Sequence, residues 1–227
     1  MKDDAMLVGL ILDRSGSMSK IEDAAVEGVN AFVAEQKSSS TETSIRFVQF
    51  DDIYEEVFDG AIGDAPTLTL QEKPGQGQAR YEPRGGTALL DAIGRTIDEM
   101  GQRLGAMAES ERPAKVVVVI MTDGKENASK KYNRERIFEM IAHQRDVYKW
   151  QFQFLGANQD AIATAATINI PHSNAINFAS STAGTRNVMR AASRNVRNYG
   201  ATGQTVTMDY MAEDRARAME EDPVESA

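Results

Sequence analysis

The sequence contains no cysteine, and histidine occurs only at His143 and His172. Without cysteine the chain has no disulfide, no thiolate nucleophile and no sulfur ligand for a metal. Two isolated histidines, neither in a recognisable motif, do not make a multi-histidine metal site. The ligands that remain for a metal are oxygen atoms, which suit Mg²⁺ or Mn²⁺ far better than zinc or copper.

The chain also lacks a long apolar segment and an excess of positive charge. No apolar run approaches the roughly 18 residues of a membrane-spanning helix. The 227 residues carry a formal net charge of −9, which argues against general affinity for nucleic acid or anionic membranes. The acidic start of the chain and an apolar run that stops at Asp13 are untypical of a secretory signal. We therefore expect a soluble, cytoplasmic protein with no nucleic-acid or membrane partner, and the oligomeric state stays open.

Short apolar runs alternate with amphipathic helical patterns along the chain. The most apolar run, residues 116–121, is rich in β-branched side chains and predicts a strand covered on both faces, as in parallel sheets. The alternation predicts an α/β fold in three layers: a doubly wound, mostly parallel central sheet with helices on both faces. We expect one domain over residues 5–200, followed by an acidic C-terminal tail, residues 201–227, that is loosely attached or disordered.

Polar residues follow the first apolar run at a spacing of two. Asp13, Ser15 and Ser17 come directly after residues 6–12, which predict a buried strand. Ligands bind at the carboxyl ends of strands in open α/β sheets, and one carboxylate with two hydroxyls on a tight loop suits a hard cation. Asp and Ser are also the residues that cap a following helix, and this local role is the alternative.

Two later segments carry residues that belong to the same sheet edge. Thr87 follows a Gly-Gly pair and is expected at the N-cap of the next helix, either as a cap or as a hydroxyl ligand facing the Asp13 loop. Asp123 follows the most apolar strand within Thr-Asp-Gly. Because central parallel strands end at one edge, Asp13 and Asp123 are predicted to lie close together. For Asp123 the alternative is a simple turn residue.

Two charged segments beside these loops have open interpretations. Asp51 and Asp52 are expected to form a solvated turn rather than a second cation site. A basic segment after Asp123 is expected to be a solvated loop, with steering of an acidic partner toward the sheet edge as the alternative; its members are Lys125, Lys130, Lys131, Arg134 and Arg136.

The three loops and their order resemble a von Willebrand factor A domain. The resemblance covers about residues 6–199 and includes the segments Leu-Asp-x-Ser-Gly-Ser-Met, Gly-Gly-Thr-Ala-Leu-x-Asp-Ala and Met-Thr-Asp-Gly. All five positions of the family's metal-ion-dependent adhesion site are matched, by Asp13, Ser15, Ser17, Thr87 and Asp123. The resemblance implies that three hydroxyls hold Mg²⁺, or Mn²⁺ or Ca²⁺, while the two aspartates bond to its waters or to the hydroxyls. It also implies that a carboxylate of another protein completes the coordination.

The resemblance leads us to expect a metal-dependent protein-binding module rather than an enzyme. A Gly-x-Ser-x-Gly elbow and a cysteine nucleophile are both absent from the sequence. The alternative is a metal-dependent hydrolase or phosphatase with Asp13 as nucleophile, although Ser15 stands where such enzymes usually carry a second aspartate. A compact intracellular domain of this kind further suggests an accessory subunit of a larger complex or of a stress system, similar to those beside tellurium-resistance proteins.

Overall fold

The computed structural model describes residues 1–157 and 160–222. Eight strands lie within these ranges: β1 (Lys2–Asp13), β2 (Glu42–Phe50), β3 (Tyr54–Ala61), β4 (Thr67–Thr69), β5 (Gln78–Arg80), β6 (Pro113–Thr122), β7 (Gln151–Ala157) and β8 (Ala175–Phe178). The same ranges contain six α-helices: α1 (Glu22–Lys37), α2 (Leu89–Ala106), α3 (Arg134–Tyr148), α4 (Ala161–Ala166), α5 (Thr182–Thr202) and α6 (Ala212–Ala218). None of these helices is both long and apolar enough to cross a membrane.

Six of the strands form the central sheet, in the order β3-β2-β1-β6-β7-β8. All neighbouring pairs are parallel except β2 and β3, which form an antiparallel pair at one edge. The short strands β4 and β5 pair with each other in a separate parallel sheet. The predicted doubly wound, mostly parallel α/β fold is confirmed.

Helices cover both faces of the sheet, because side chains of a strand point alternately to opposite faces. In β1, Met6, Val8 and Leu10 belong to the apolar core shared with α1 and α5. Leu7 and Ile11 belong to the opposite core, shared with α2 and α3. The central strands are buried on both sides, which explains their continuous apolar sequences.

The register of the sheet brings three strand ends together. Leu12 of β1 lies beside Met121 of β6, and Asp13 lies beside Phe50 of β2. The residues that follow β1, β2 and β6 therefore meet at one edge, as the order of the apolar runs predicts.

The segment after residue 200 packs against the domain, which corrects the prediction of a loosely attached or disordered tail. Met208, Tyr210 and Ala218 are buried in the core on the α1 and α5 face. Arg194 of α5 donates two hydrogen bonds to the Asp214 carboxylate, at 2.8 and 2.7 Å. These contacts hold residues 205–222, and the rest of the predicted tail, residues 223–227, lies outside the described residues.

Candidate metal centre

All five predicted site residues lie at the carboxyl edge of the sheet. Asp13 ends β1 and Asp123 directly follows β6, while Thr87 belongs to the loop before α2. Asp13, Ser15 and Thr87 are buried, whereas Ser17 is exposed and Asp123 is partly exposed. The cluster thus has a buried base and an open side toward solvent.

Direct hydrogen bonds link the two predicted loops from β1 and β6. The Ser17 hydroxyl donates to Asp123 Oδ1 at 2.6 Å, and the Oγ atoms of Ser15 and Ser17 are 3.2 Å apart. The Ser15 backbone N–H donates to Asp13 Oδ1 at 2.6 Å. Four of the five side chains therefore form one continuous polar group, and the turn-residue alternative for Asp123 does not account for its contact with Ser17.

Thr87 joins this group above Gly124. A Cβ atom added to Gly124 would lie 2.7 Å from Thr87 Oγ1 and 3.5 Å from the Oγ atoms of both Ser15 and Ser17. Three hydroxyl oxygens thus surround one small space that is free only because residue 124 is glycine. A side chain at residue 124 would displace the Thr87 hydroxyl, so this glycine keeps the three hydroxyls together.

The arrangement fits a small divalent cation. Octahedral Mg²⁺ with bonds of about 2.1 Å places neighbouring ligand oxygens about 3 Å apart, and the two seryl oxygens are separated by 3.2 Å. Within residues 1–157 and 160–222, no group of three or more His, Cys, Asp or Glu side chains forms a metal cluster. A cation at this edge would therefore depend on the hydroxyls, as the family resemblance implies.

Burial disfavours the ionised forms of the two carboxylates of the site. Burial raises the pKa of Asp13 to about 6, and the charge of Asp123 adds to this, although hydrogen bonds from Thr122 and Ser15 act in the opposite direction. Burial also raises the pKa of Asp123, against the hydrogen bond from Ser17. A divalent cation would add positive charge at this edge and stabilise both ionised groups.

Backbone hydrogen bonds fasten the three loops to one another. The Gly16 N–H donates to the Gly85 carbonyl at 3.2 Å, and the Arg84 N–H donates to the Arg14 carbonyl at 2.7 Å. The Asn127 N–H donates to the Thr87 carbonyl at 3.1 Å, while the Asn127 side chain accepts from the Thr87 N–H at 2.9 Å. These bonds fix the positions of the loops that carry the hydroxyls.

Thr87 is not the N-cap of the following helix, which corrects one prediction. The helix begins at Leu89 with Ala88 as its N-cap residue, whose side chain makes no capping hydrogen bond. The Ala88 N–H instead donates to the Asp51 carbonyl at 2.9 Å. The Thr87 hydroxyl therefore does not cap the helix and faces the candidate site. This position agrees with the alternative interpretation of Thr87, a hydroxyl ligand.

Asp51 is buried in an ion-pair cluster, so the prediction of a solvated turn is wrong for this residue. Its Oδ2 accepts from Arg14 Nε at 3.1 Å and from Arg84 Nε at 2.8 Å, and its side chain is fully buried. Arg14 also pairs with Glu55 at 2.7 Å. The cluster ties the backbone between Asp13 and Ser15 to the loop that carries Thr87.

Two further side chains support Asp13 and were not singled out from the sequence. The Thr122 hydroxyl donates to Asp13 Oδ2 at 2.5 Å, and the Tyr81 hydroxyl donates to the Asp13 carbonyl at 2.8 Å. Thr122 is adjacent to the Asp123 motif, so its position in the sequence is a usable signal. Tyr81 follows an irregular segment rich in Gly and Pro, and no sequence pattern points to it.

The basic segment after Asp123 is held on the first turn of α2. The Asp91 carboxylate accepts backbone hydrogen bonds from Lys130, Lys131 and Tyr132 at 2.8–2.9 Å, and these bonds hold its pKa below the usual range against the effect of burial. Glu126 fastens the same loop by accepting from the Leu90 N–H at 2.9 Å. These hydrogen bonds fix the backbone of the loop, and its lysine side chains are exposed to solvent.

Solved structures with the same architecture are von Willebrand factor A domain proteins, although no protein-family profile and no curated protein sequence matches the chain. Proximal thread matrix protein 1 from the mussel byssus superposes with a TM-score of 0.60 at 12% identity, over 85% of this chain and 48% of that one. The von Willebrand factor type A protein from Catenulispora acidiphila gives 0.53 at 14% identity, over 85% and 42%. The vWF domain of the type V pili tip protein Mfa5 from Porphyromonas gingivalis gives 0.54 at 10% identity, over 89% and 97%.

The chain spans about half the length of the mussel and Catenulispora proteins but almost all of the Mfa5 domain. At these identities the similarity concerns the backbone architecture alone. The six-stranded, mostly parallel sheet between two helical layers, together with these neighbours, gives this chain the Rossmann-like, three-layer fold of the von Willebrand factor A domain.

Proposed function

We propose that this protein is a metal-dependent binding module that recognises a carboxylate of another protein. The observation that carries the proposal is the convergence of three hydroxyls, from Ser15, Ser17 and Thr87, above Gly124 at the carboxyl edge of the sheet. A bound divalent cation would supply electrophilic coordination positions, one of them open to an outside carboxylate. One mussel structure of the same fold is described as having a zinc-occupied MIDAS motif, which supports metal binding at this place in the fold.

The roles of the five residues follow from their burial and contacts. The hydroxyls of Ser15, Ser17 and Thr87 would hold the cation as neutral ligands. Asp13 and Asp123 would stabilise it through the hydroxyls or its waters, as outer partners commonly do. Because few negative charges would touch the ion directly, it would keep its attraction for an external carboxylate. The all-oxygen set favours Mg²⁺, with Mn²⁺ or Ca²⁺ as substitutes.

The surroundings of the site favour an acidic partner. The charge of Lys20 partly opposes the rise that burial causes in the pKa of Asp123. Lys125, Lys130 and Lys131 lie on the loop fastened to α2. In the part of the chain that the structure describes, none of these four lysines has a carboxylate within 4 Å. On a chain of net charge −9, this group of cations would attract an acidic segment to the metal edge.

We further propose that the protein is not an enzyme. The hydrolase alternative needs a carboxylate oxygen of Asp13 presented to a substrate. Both oxygens instead accept hydrogen bonds within the protein, from the Ser15 N–H and the Thr122 hydroxyl, and the side chain is fully buried. This environment suits a structural carboxylate better than a nucleophile.

The cellular setting that we propose is cytoplasmic, as an accessory subunit of an intracellular complex or a stress system of the tellurium-resistance type. The absence of cysteine is compatible with a reducing compartment. A direct check is fractionation of cells that express the untagged protein, with detection by antibody. Recovery in the culture medium or with the cell envelope would contradict the proposed location.

The first test measures cation binding by the protein alone. We expect Mn²⁺ titration, followed by electron paramagnetic resonance of the free ion, to show one site that Mg²⁺ displaces. Ser17→Ala should weaken binding by about 10- to 100-fold, the usual effect of disturbing a metal site. Ser19→Ala is the matched control, because Ser19 is an exposed serine of the same loop. Equal affinity in both variants would contradict the assigned site.

The second test concerns the partner. Protein immobilised in Mg²⁺ buffer should retain a partner that EDTA elutes, and the same partner should be lost with Asp13→Ala and kept with Ser19→Ala. An acidic segment of that partner, made as a peptide, should lose binding when its aspartates and glutamates are amidated. A complex that survives both chelation and Asp13→Ala would refute the proposed function.

A further inference from the structure

A second cavity lies at the opposite end of the sheet from the candidate metal centre. It has a volume of about 480 Å³ and is formed where α2 and α3 end and where β6 and β7 begin. β6 runs from this cavity, at Pro113, to the metal edge, at Thr122. At about 3.3 Å per residue the two places are about 30 Å apart, so the cavity is separate from the site already described.

The body of the cavity is apolar and partly aromatic. Leu104, Val116 and Trp150 form its buried wall, and Val147 and Tyr148 stand at its mouth with more than half of their surfaces exposed. Val147 and Tyr148 are adjacent in the sequence and extend the apolar lining of the cavity to the protein surface. The volume falls within the range of roughly 300–1,000 Å³ that is typical of small-molecule sites.

The charged groups that line this cavity are all basic. Arg112 and Lys149 contribute cations and His143 an imidazole, and no lining residue within the described ranges is acidic. Neither cation forms an ion pair within 4 Å in the part of the chain that the structure describes. The chain as a whole has a net charge of −9, whereas the charged groups of this apolar cavity are only basic. This local positive charge favours a negatively charged occupant.

Arg112 has hydrogen-bonding capacity that the protein does not use. Its Nη2 donates to the Met107 carbonyl at 3.2 Å, and its Nε is buried without a partner among the described residues. The guanidinium charge has no carboxylate partner among the described residues, and an anion in the cavity beside it would form a charge-assisted contact. Lys149 is held nearby, since its Nζ donates to the Asp146 carbonyl at the end of α3.

We propose that this cavity is a binding site for a small aromatic carboxylate. The carboxylate would lie between Arg112 and Lys149, and the ring would pack against Trp150 and Leu104. A neutral aromatic molecule would gain only the apolar contacts, and a small inorganic anion would gain only the charge. The combination of both features defines the class of ligand.

Trp150 is the only tryptophan of the chain, so it reports on this cavity without interference. The probe is 2-naphthoate, added to protein labelled with 5-fluorotryptophan and observed by ¹⁹F NMR in the presence of EDTA. We expect a saturable shift of the single resonance. The neutral probe 2-naphthalenemethanol, which has the same ring, should bind at least about fivefold more weakly, as expected for the loss of one charge interaction near the surface.

Variants locate the binding site. Val147→Glu places a negative charge at the mouth and should weaken 2-naphthoate by about fivefold or more. Phe138→Glu is the matched control, because Phe138 is an exposed apolar residue of the same helix that does not line the cavity. Arg112→Gln should weaken naphthoate and leave the neutral probe unchanged.

Three results would overturn the proposal: no saturable shift at millimolar 2-naphthoate, equal affinity for the neutral probe, or equal weakening by Val147→Glu and Phe138→Glu. Because the experiment contains EDTA and no metal, its outcome is independent of the function proposed for the other end of the sheet.

Discussion

Replacing Asp13 by asparagine should stabilise the metal-free protein, although it removes a residue of the candidate site. Burial raises the pKa of Asp13 to about 6, whereas an aspartate of the unfolded chain titrates at about 4. Between these values the folded protein binds the proton more tightly. The stability that this protonation contributes is therefore present below about pH 4, and it is lost as the pH rises through 6.

The size of the effect follows from the shift. About two pKa units correspond to about 3 kcal/mol at neutral pH, which is the cost of holding the ionised Asp13 carboxylate in its buried position without a cation. Asparagine carries no charge and has nearly the same shape. Its carbonyl oxygen would accept from the Ser15 N–H, and its amide would donate to the Thr122 hydroxyl, which has the Gly124 carbonyl at 3.2 Å as another acceptor. The hydrogen bonds survive, so most of the 3 kcal/mol should appear as a gain.

Urea unfolding in EDTA is the appropriate assay, at pH 5 and at pH 7.5. The free energy of unfolding of Asp13→Asn should exceed that of the wild type by about 2–3 kcal/mol at pH 7.5 and by less at pH 5. Asp4→Asn is the control, because Asp4 is an exposed aspartate of the same strand. Addition of 10 mM MgCl₂ should then stabilise the wild type, because Mg²⁺ binds the folded state only, and it should leave the stability of Asp13→Asn unchanged. Equal or lower stability of Asp13→Asn in EDTA at pH 7.5 would refute the assigned cost of the buried charge.

Three other substitutions test separate parts of the structure. Gly124→Ala places a Cβ 2.7 Å from Thr87 Oγ1, so Mn²⁺ affinity should fall by about 10- to 100-fold. The circular dichroism spectrum should stay unchanged. Unchanged Mn²⁺ affinity would contradict the convergence of the hydroxyls. Asp51→Asn removes the buried carboxylate beside Arg14, which keeps Glu55 as a partner, and should lower the free energy of unfolding by about 1–3 kcal/mol. Arg84→Gln, whose side chain is 46% exposed, should lower it by less than about 1 kcal/mol. Arg194→Gln removes the pair with Asp214 and should accelerate amide hydrogen exchange in α6; unchanged exchange there would show that the apolar contacts of Met208 and Ala218 alone hold the segment.

The sheet and the core of the candidate site were predictable because both depend on local patterns. A buried parallel strand needs a continuous apolar sequence, and the run that ends at Asp13 and the run that ends before Asp123 satisfy this requirement. Parallel strands place their carboxyl ends at one edge, so the convergence of Asp13, Ser15, Ser17 and Asp123 follows from strand order. Thr87 was identified from the Gly-Gly pair before the second helix and from its match to a family motif.

The predictions that differ from the structure concern residues whose partners are distant in sequence. Asp51 has the appearance of a solvated turn residue, but Arg14 and Arg84 reach it from two other loops. Strand β5 consists of three residues and owes its existence to pairing with β4. The acidic composition of residues 201–227 suggested a loose tail, but the segment also contains Met208 and Tyr210, and their burial attaches it to the domain.

The displacement of Thr87 from the helix N-cap shows how such distant contacts serve the site. Threonine is a good cap, and its hydroxyl would normally accept from a backbone N–H of the first turn. Here the backbone of this loop is bound elsewhere: the Thr87 N–H donates to Asn127, the Ala88 N–H to the Asp51 carbonyl and the Leu90 N–H to Glu126. Because neighbouring loops satisfy those donors, the Thr87 hydroxyl does not cap the helix and lies near the hydroxyls of Ser15 and Ser17. The ion-pair cluster around Asp51 and the Glu126 carboxylate therefore help to shape the candidate metal centre, although neither is among its proposed ligands.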